Sequence, residues 1–420
     1  MQRKIQHAIA FLLIVAPVFA QSKRLWVLRA PGEMVEYDPG TFALKQKVKV
    51  PAEAVKFPAN LSVNRLGQML FAPALSLPLT ESEISNPHKV WVWNGQTAGS
   101  VDQGVEHKSE NRGSNQAVTE SVPVPFLSAD GSHLFWLANE NRRLEREEVD
   151  LSTTNTFQAW RTDLQGKDRV DLASSSLPDC RCKTGTCEES CPSFSEWAPE
   201  GGIESFFLAT QSVAGQTATS YKATTRYQQE GSKWNPNALT EPLQRVLDAS
   251  ADGNSIVEAI PDTGCCGWSN QSNDRALVIK DAKSLTIFDE QAAYKNADYD
   301  VSFYTSNARL SPDAGKIAMT IAATAQSGKP MQLSEQGEAN PEESQRIRKT
   351  LADLPAIEIK TTDDSPRRLA LVPHATLIGW ISDKELLIVE GHLLVAYTVG
   401  SGARRKSTIR VEDAARVFLR

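Results

Sequence analysis

The sequence lacks both a large excess of positive charge and a hydrophobic run long enough to cross a membrane. Its 420 residues contain 45 Lys and Arg against 51 Asp and Glu, for a net charge of −6. Such a balance does not indicate a surface that neutralises phosphates, so we expect no nucleic-acid partner. The apolar stretch Ala8–Val15 is shorter than the roughly 20 residues that a spanning helix needs.

The motifs of common catalytic and metal sites are also missing. There is no G-x-S-x-G hydrolase elbow, no C-x-x-C-H haem site and no paired C-x2-C zinc knuckle. The histidines are scattered and form no metal cluster in the sequence: His7, His88, His107, His133, His374 and His392. We therefore expect no metal and no cofactor, assign no catalytic residue, and favour a non-enzymatic role while leaving the enzyme question open.

The first twenty residues have the pattern of a secretory signal peptide. Arg3 and Lys4 precede the apolar stretch, and Val18–Ala20 supply small residues at the exit. This predicts cleavage after Ala20, a secreted or periplasmic location, and no membrane span once residues 1–20 are removed. The alternative is an N-terminal helix of the fold. The remaining chain, 21–420, is expected to form a single domain.

A short phrase recurs along the chain: Ser, an acidic residue and Gly, followed by an apolar run. The copies are Leu127–Trp136, Trp197–Phe207, Ala249–Val257 and Leu310–Met319, with weaker ones at Leu61–Phe71 and Trp380–Leu387. A tight turn between two apolar strands, repeated about every 50 to 70 residues, is typical of a stack of small antiparallel sheets.

The two ends of the chain complement each other. Arg24–Leu28, Met34–Tyr37 and Leu44–Val50 predict the second, third and fourth strands of a sheet whose first strand is missing. Ala415–Leu419 is a spare strand at the other end. Pairing them would close a ring without open edges. The prediction is an all-β, seven-bladed β-propeller closed by its N- and C-terminal strands, with six or eight blades as alternatives.

The repeats resemble a known family. Leu127–Gly131 with Trp160–Gly166, and the phrase Leu310–Ala318, are similar to TolB-type (WD40-like) β-propeller repeats. The resemblance covers most of residues 24–420 and implies a fold rather than an activity.

One segment departs from the strand pattern. Asn340, Pro341 and Glu343 form a helix start, which predicts a helix over 341–353 between the second and third strands of the sixth blade. A polar loop is the alternative.

The longest segments between predicted strands all emerge on one face of the ring, which we call the loop face. They are 72–88, 101–124, 138–155, 174–195, 258–274 and 321–355. Long loops on a rigid scaffold are where binding sites are usually found. The prediction is a binding or scaffolding module whose loop face takes a protein or small-molecule ligand. The alternative is a propeller enzyme, a lactonase-like hydrolase or a redox protein, with its site at the mouth of the central channel.

All six cysteines fall in two of these segments: Cys180, Cys182, Cys187, Cys191, and the adjacent pair Cys265 and Cys266. An oxidising compartment favours disulfides that brace the loop face. A four-thiolate zinc site is the alternative. The adjacent pair allows a vicinal disulfide, bridges to the other segment, or free thiols, so the connectivity stays open.

Four further residues are candidates for the binding face. Asp262 and Trp268 flank the adjacent cysteines, and Arg142 and Arg143 belong to the charge-dense run Asn139–Glu148. Trp268, like Trp197 and Trp380, would line a ligand groove or pack between blades. The charged run would contact a partner or form a solvated loop.

Overall fold

The computed structural model describes most of the chain from residue 23 onward. The described residues are 23–30, 32–50, 61–64, 66–73, 75, 77–94, 97–113, 115–128, 130–146, 149–177, 180–181, 193–197, 205–214, 218–230, 233–239, 245–250, 255–260, 275–280, 283–289, 301–325, 341–413 and 416–420. The predicted signal peptide, 1–20, lies outside them.

The described strands form seven antiparallel sheets, numbered here in chain order. Sheet 1 takes three strands from the N-terminus and one from the C-terminus: β1 (Leu25–Arg29), β2 (Glu33–Tyr37), β3 (Leu44–Lys49) and β30 (Arg416–Leu419). Sheet 2 contains β4 (Leu61–Val63), β5 (Met69–Phe71), β6 (Lys89–Trp93) and β7 (Ala98–Asp102). Sheet 3 has six strands: β8 (Glu106–Arg112), β9 (Asn115–Leu127), β10 (His133–Arg146), β11 (Val149–Asp163), β12 (Val170–Ser176) and β13 (Cys180–Arg181).

The remaining sheets each consist of four consecutive strands. Sheet 4 contains β14 (Ser193–Trp197), β15 (Ser205–Ala214), β16 (Ala218–Glu230) and β17 (Lys233–Ala238). Sheet 5 contains β18 (Arg245–Ala249), β19 (Ser255–Ile260), β20 (Arg275–Lys280) and β21 (Lys283–Asp289). Sheet 6 contains β22 (Val301–Leu310), β23 (Lys316–Ala325), β24 (Ala356–Thr361) and β25 (Arg368–Val372). Sheet 7 contains β26 (Ala375–Ser382), β27 (Glu385–Glu390), β28 (Leu393–Thr398) and β29 (Arg404–Arg410).

Helices are few among the described residues. They are α1 (Glu81–Ser85), α2 (Pro341–Asp353) and a 3₁₀ turn (Val411–Asp413). Helix α2 lies between β23 and β24, which confirms the helix predicted from the Asn-Pro-Glu start. None of the described helices is both long and apolar enough to cross a membrane.

The recurring phrase folds as a turn between two neighbouring strands of one sheet, β9 and β10 for Leu127–Trp136 and β22 and β23 for Leu310–Met319. The hydroxyl of Ser128 donates to Asp130 (2.6 Å) and accepts the backbone N–H groups of Ser132 and His133 (3.0 Å each). Ser311 repeats this pattern, donating to Asp313 (2.5 Å) and accepting the N–H of Lys316 (2.9 Å). The same residues recur because each turn must provide hydrogen-bond acceptors for its own backbone N–H groups.

The sheets pack in a closed cycle. Buried apolar clusters join sheets 1 and 2, 2 and 3, 3 and 4, 5 and 6, and 6 and 7. Leu239, next to sheet 4, packs against Ile256 of sheet 5. A last cluster brings Leu387 and Leu394 of sheet 7 against Leu25 and Val27 of sheet 1. Sheets that pack face to face in sequence order, with the last on the first, form an all-β propeller.

The ring is closed by β30, which pairs with β1 as predicted. Leu25 lies opposite Leu419, and Val27 lies opposite Val417. Arg24 and Arg420 each donate a backbone hydrogen bond to the carbonyl of the other, and the bond from the N–H of Arg420 to the carbonyl of Arg24 measures 2.8 Å. Phe418 is 3% exposed and lies in the apolar cluster that joins sheets 1 and 2. The closure therefore combines a backbone ladder with a buried side chain.

Two segments that we expected to be loops are strands. The range 101–124 contains β8 and most of β9. The range 138–155 contains the hairpin formed by the end of β10 and the start of β11. His133 pairs with Asp163 and Arg146 with Val149, so one ladder runs the full length of this hairpin. The polar sequence suggested a loop because the outer part of these strands carries polar residues on both faces, which removes the alternation typical of a half-buried strand.

Candidate functional site

Sheet 3 extends on the loop-face side, beyond the part that pairs with β12. We call this part the sheet 3 extension: Glu106–Arg112, Asn115–Ser121, Asn139–Arg146 and Val149–Asn155. The hairpin β8–β9 pairs with the hairpin β10–β11 through the β9–β10 ladder, and β13 adds to β11 at Ser152 and Thr153. Continuous backbone pairing makes the extension a platform instead of a set of loops.

A buried carboxylate holds the extension to the ring. Glu120 on β9 is 2% exposed and accepts the ring Nδ1 of His107 (3.1 Å) and a guanidinium nitrogen of Arg143 (3.1 Å). It also accepts the backbone N–H of Leu79 (3.2 Å), from the segment that leads into α1. A buried carboxylate requires such partners, so this cluster positions the extension.

The two predicted binding-face arginines therefore differ. Both lie on strand β10 and not in a loop, and neighbours on a strand point to opposite faces. Arg143 is partly buried and bound to Glu120, whereas Arg142 is exposed. The predicted pair thus separates into a structural residue and a surface residue.

The structure tests few of the other candidates. Cys180 lies in β13 and Trp197 in β14, but their side chains are not described. Outside the described residues lie Cys182, Cys187, Cys191, Cys265, Cys266, Asp262 and Trp268. The disulfide prediction therefore stays a prediction.

The alternative in which tryptophans pack between blades is confirmed for Trp380. Its side chain is 1% exposed and lies in the apolar cluster of sheets 6 and 7. The indole N–H donates to the carbonyl of Arg309 on β22 (2.8 Å). Trp380 thus joins two blades and does not line a groove.

A cavity of about 470 Å³ lies between sheets 2 and 3, beside the apolar cluster that joins them, and we call it the inter-blade groove. Its floor is one face of sheet 3, with lining residues Ser121, Pro123, Trp136, Ala138, Glu140, Gln158, Trp160 and Thr162. Its other wall is the end of β7 and the link to β8, with Val101–Gly104 and Glu106; Gly166 and Arg169 close one end. The floor residues alternate along three strands, as expected for one face of a sheet.

The aromatic part of the groove is already occupied by protein groups. Trp136 and Trp160 are opposite each other in the ladder and stack with ring centroids 6.2 Å apart. Trp136 is 3% exposed, and its indole N–H donates to the hydroxyl of Thr162 (3.0 Å). The guanidinium of Arg169 lies over Trp160, 4.2 Å from the ring centroid. These contacts fix the floor of the groove.

The polar part of the groove contains mainly hydrogen-bond acceptors. Asp102, Glu106 and Glu140 contribute carboxylates. Lys108, outside the lining, pairs with Glu106 at 2.7 Å, and this hydrogen bond, with the charges of Glu106 and then Glu140, raises the pKa of Lys108. Glu140 therefore lies within electrostatic reach of that ion pair.

Gln103 is the unusual residue in this wall. It is 3% exposed, and its side-chain NH₂ donates to the carbonyl of Pro123 (2.9 Å). Because the Pro123 carbonyl can only accept a hydrogen bond, the NH₂ end of the Gln103 amide must face it. The amide oxygen Oε1 is buried without a hydrogen-bond partner among the described residues. An unsatisfied buried acceptor costs about 1–3 kcal/mol, so it requires a reason.

The groove was not predicted from the sequence. The pairing of Trp136 with Trp160 depends on a ladder register between distant segments. The only available signal was two tryptophans at strand positions, which fits ordinary blade packing equally well. In the part of the chain that the structure describes, no group of three or more His, Cys, Asp or Glu is placed to hold a metal ion.

Comparison with known proteins identifies no family for this chain. No protein-family model matches it, and no curated protein matches it in sequence. Solved structures do align with it. The β-propeller domain of the Trilobed protease from Pyrococcus furiosus is 11% identical, with 90% of this chain and 87% of that one covered and a TM-score of 0.39. The WD40 domain of SCAP from fission yeast is also 11% identical, with 93% and 84% covered and a TM-score of 0.32.

The acylaminoacyl peptidase of Pyrococcus horikoshii is a further structural match. It is 13% identical, covers 90% of this chain and has a TM-score of 0.40. The alignment covers 48% of the peptidase, so this chain spans about half the length of that protein.

Proposed function

We propose that this chain is a secreted or periplasmic β-propeller of the TolB type that binds a protein partner through the sheet 3 extension. In this proposal residues 1–20 are removed and 21–420 form one domain, in which each of the seven sheets is one blade. The signal-like N-terminus and the turn phrases support the location and the family.

The sheet 3 extension is the observation that carries the binding role. Its strands continue past the ring on the loop face and are held by the buried contacts of Glu120. A rigid platform loses little conformational entropy on binding, and this favours a scaffold over a flexible lid. Its exposed side chains, among them Lys108, Glu110 and Arg142, are charged, which suits a polar partner surface.

Site-specific photo-crosslinking tests this function. A photo-reactive phenylalanine analogue replaces Arg142 in the extension or, as the control, the exposed Lys406 on the outer strand of sheet 7. We expect one protein to crosslink reproducibly from position 142 in the native extracytoplasmic fraction and not from position 406. Arg142→Glu should abolish co-purification of that protein, whereas Lys406→Glu should not. Equal crosslinking from both positions, or none from 142, contradicts the proposal.

We also propose that disulfides brace the loop face near the extension. Cys180 supports this, because β13 pairs directly with β11 at Ser152 and Thr153, within the sheet 3 extension. A thiol count on denatured protein tests it: we expect the six cysteines to react only after reduction. Six reactive thiols before reduction would contradict it, and zinc in the purified protein would favour the metal alternative.

A further inference from the structure

Strand β8 forms an open edge of the sheet 3 extension. It is the end strand of its sheet, and among the described strands it pairs with β9 alone. The side chains of Lys108, Ser109 and Glu110 are exposed. Alternate residues of an end strand direct their backbone N–H and C=O groups away from the sheet, so β8 can accept a further strand. On the other side of the extension, β13 adds to β11 in this way.

The charges of β8 alternate in sign along one face of the strand. Every second residue is charged, and residues two positions apart lie on the same face of a strand. In chain order these residues are Glu106, Lys108, Glu110 and Arg112. The ion pair between Lys108 and Glu106, at 2.7 Å, agrees with a shared face. The open edge therefore presents the order negative, positive, negative, positive.

This charge order is complementary to itself when a second copy of β8 runs antiparallel to the first. With a two-fold axis through Ser109, Lys108 of each copy lies opposite Glu110 of the other copy. The same register sets Glu106 opposite Arg112. Opposite charges directly across a ladder stabilise a strand pair, so every charged position of β8 favours this arrangement.

The neighbouring registers of the same strand pair place like charges opposite each other. The two copies can slide only in steps of two residues, because a slip of one residue turns every side chain to the other face. A pair centred on Lys108 sets Lys108 against its own copy and Glu106 against Glu110. A pair centred on Glu110 sets Lys108 against Arg112. The charge pattern therefore selects one register.

Two other end strands show that this pattern is not a general feature of the sheets. The charged residues of β3 and of β29 are all cations, so two copies of either strand repel each other. Such charges are a common protection of open edges against pairing. The charges of β8 instead permit pairing with a second copy of β8.

We propose that this chain forms a homodimer in which two copies of β8 pair antiparallel about Ser109. The pair would join two sheet 3 extensions into one continuous sheet. Arg142 lies two strands from the edge, in register with Lys108 through Thr119, so the dimer would present the proposed partner surface twice. The dimer does not depend on that surface, and the two proposals can fail separately. Seven residues from each copy make a small interface, so we expect the association to depend on protein concentration.

Sedimentation velocity of the purified mature chain over a concentration series tests the proposal. We expect the wild type to show an equilibrium between monomer and dimer. Lys108→Glu changes two opposite-charge pairs of the dimer into two like-charge pairs, so the dissociation constant should rise at least about tenfold. Glu110→Lys should have the same effect. Lys406→Glu, on the end strand β29 of sheet 7, is the control and should leave the association unchanged.

An equimolar mixture of the two variants separates loss of pairing from loss of folding. The Lys108→Glu copy has carboxylates at both positions, and the Glu110→Lys copy has ammonium groups at both. Opposite charges therefore lie across the ladder again in a mixed dimer, and we expect the mixture to associate as the wild type does. The proposal is overturned if the wild type stays monomeric, if Lys108→Glu dimerises like the wild type, or if the mixture does not recover the association.

Discussion

The closing strand offers the sharpest test of the fold. Phe418 on β30 is 3% exposed and packs with Trp26 and Phe71 in the cluster that joins sheets 1 and 2. Truncating a buried Phe to Ala lowers the free energy of unfolding by about 3–5 kcal/mol, because the transfer free energy of the removed ring is lost and a cavity remains. Arg416 and Arg420 also lie over its ring, at 5.3 and 5.7 Å, and each such contact adds about 0.5 kcal/mol.

We therefore expect Phe418→Ala to lower the free energy of unfolding by about 4 kcal/mol. The measurement is equilibrium urea denaturation followed by circular dichroism and tryptophan fluorescence. Leu44→Ala is the matched control, because Leu44 lies in the outermost strand of the same sheet and is 54% exposed. Its change should stay within about 0.5 kcal/mol.

A loss below about 1 kcal/mol for Phe418→Ala would refute the reasoning. It would mean that β30 detaches from β1 without unfolding the ring, so that the strand is not part of the cooperative unit. Deleting residues 416–420 provides a second readout. It uncovers the edge of β1, and we expect association of the truncated chain in size-exclusion chromatography with light scattering.

Two further predictions concern the turns. Hydrogen bonds, the largest contribution coming from the Ser128 hydroxyl, lower the pKa of Asp130 to about 2. The stabilisation of the fold by ionised Asp130 is therefore complete above about pH 4 and is lost as the pH falls toward 2. Asp130→Ala should lower the free energy of unfolding by about 1 kcal/mol at pH 7, a value reduced for solvent screening. Urea denaturation of the wild type and the variant at a series of pH values checks this. The prediction is contradicted if the difference between the two proteins does not shrink toward pH 3. Gly67 has φ +82°, and a Cβ there would lie 2.5 Å from the ring of Trp26. Gly67→Ala should cost about 2 kcal/mol or more in thermal and urea unfolding, whereas Gly99→Ala, which meets no atom within 4 Å, should be nearly neutral; equal effects would refute this.

Much of the fold was predictable because its signals are local and repeated. The Ser-Asp-Gly turns satisfy their own backbone donors, so each copy is legible in the sequence, as the bonds of Ser128 and Ser311 show. The unpaired strands at the two ends predicted the pairing of β1 with β30, since an open sheet edge needs a partner. Helix α2 followed from the residues at its N-terminus together with the apolar positions of the segment.

The sheet 3 extension was not predictable in the same way. A strand with polar residues on both faces has no alternating pattern, so β8 and the outer parts of β9, β10 and β11 looked like loops. The consequence was that Arg142 and Arg143 were both taken as candidates for the binding face. Only the contact between Arg143 and the buried Glu120 separates them.

By itself, the sequence determined an all-β propeller with a terminal closure, because turn chemistry and strand periodicity act over a few residues. Tertiary structure alone decided the inter-blade groove, which depends on the register of Trp136 against Trp160 and on the link from β7 bringing Gln103 beside Pro123. The physical reason is that ladder register and packing between blades are set by contacts between distant segments. No local pattern records which acceptor is left without a donor when those segments meet.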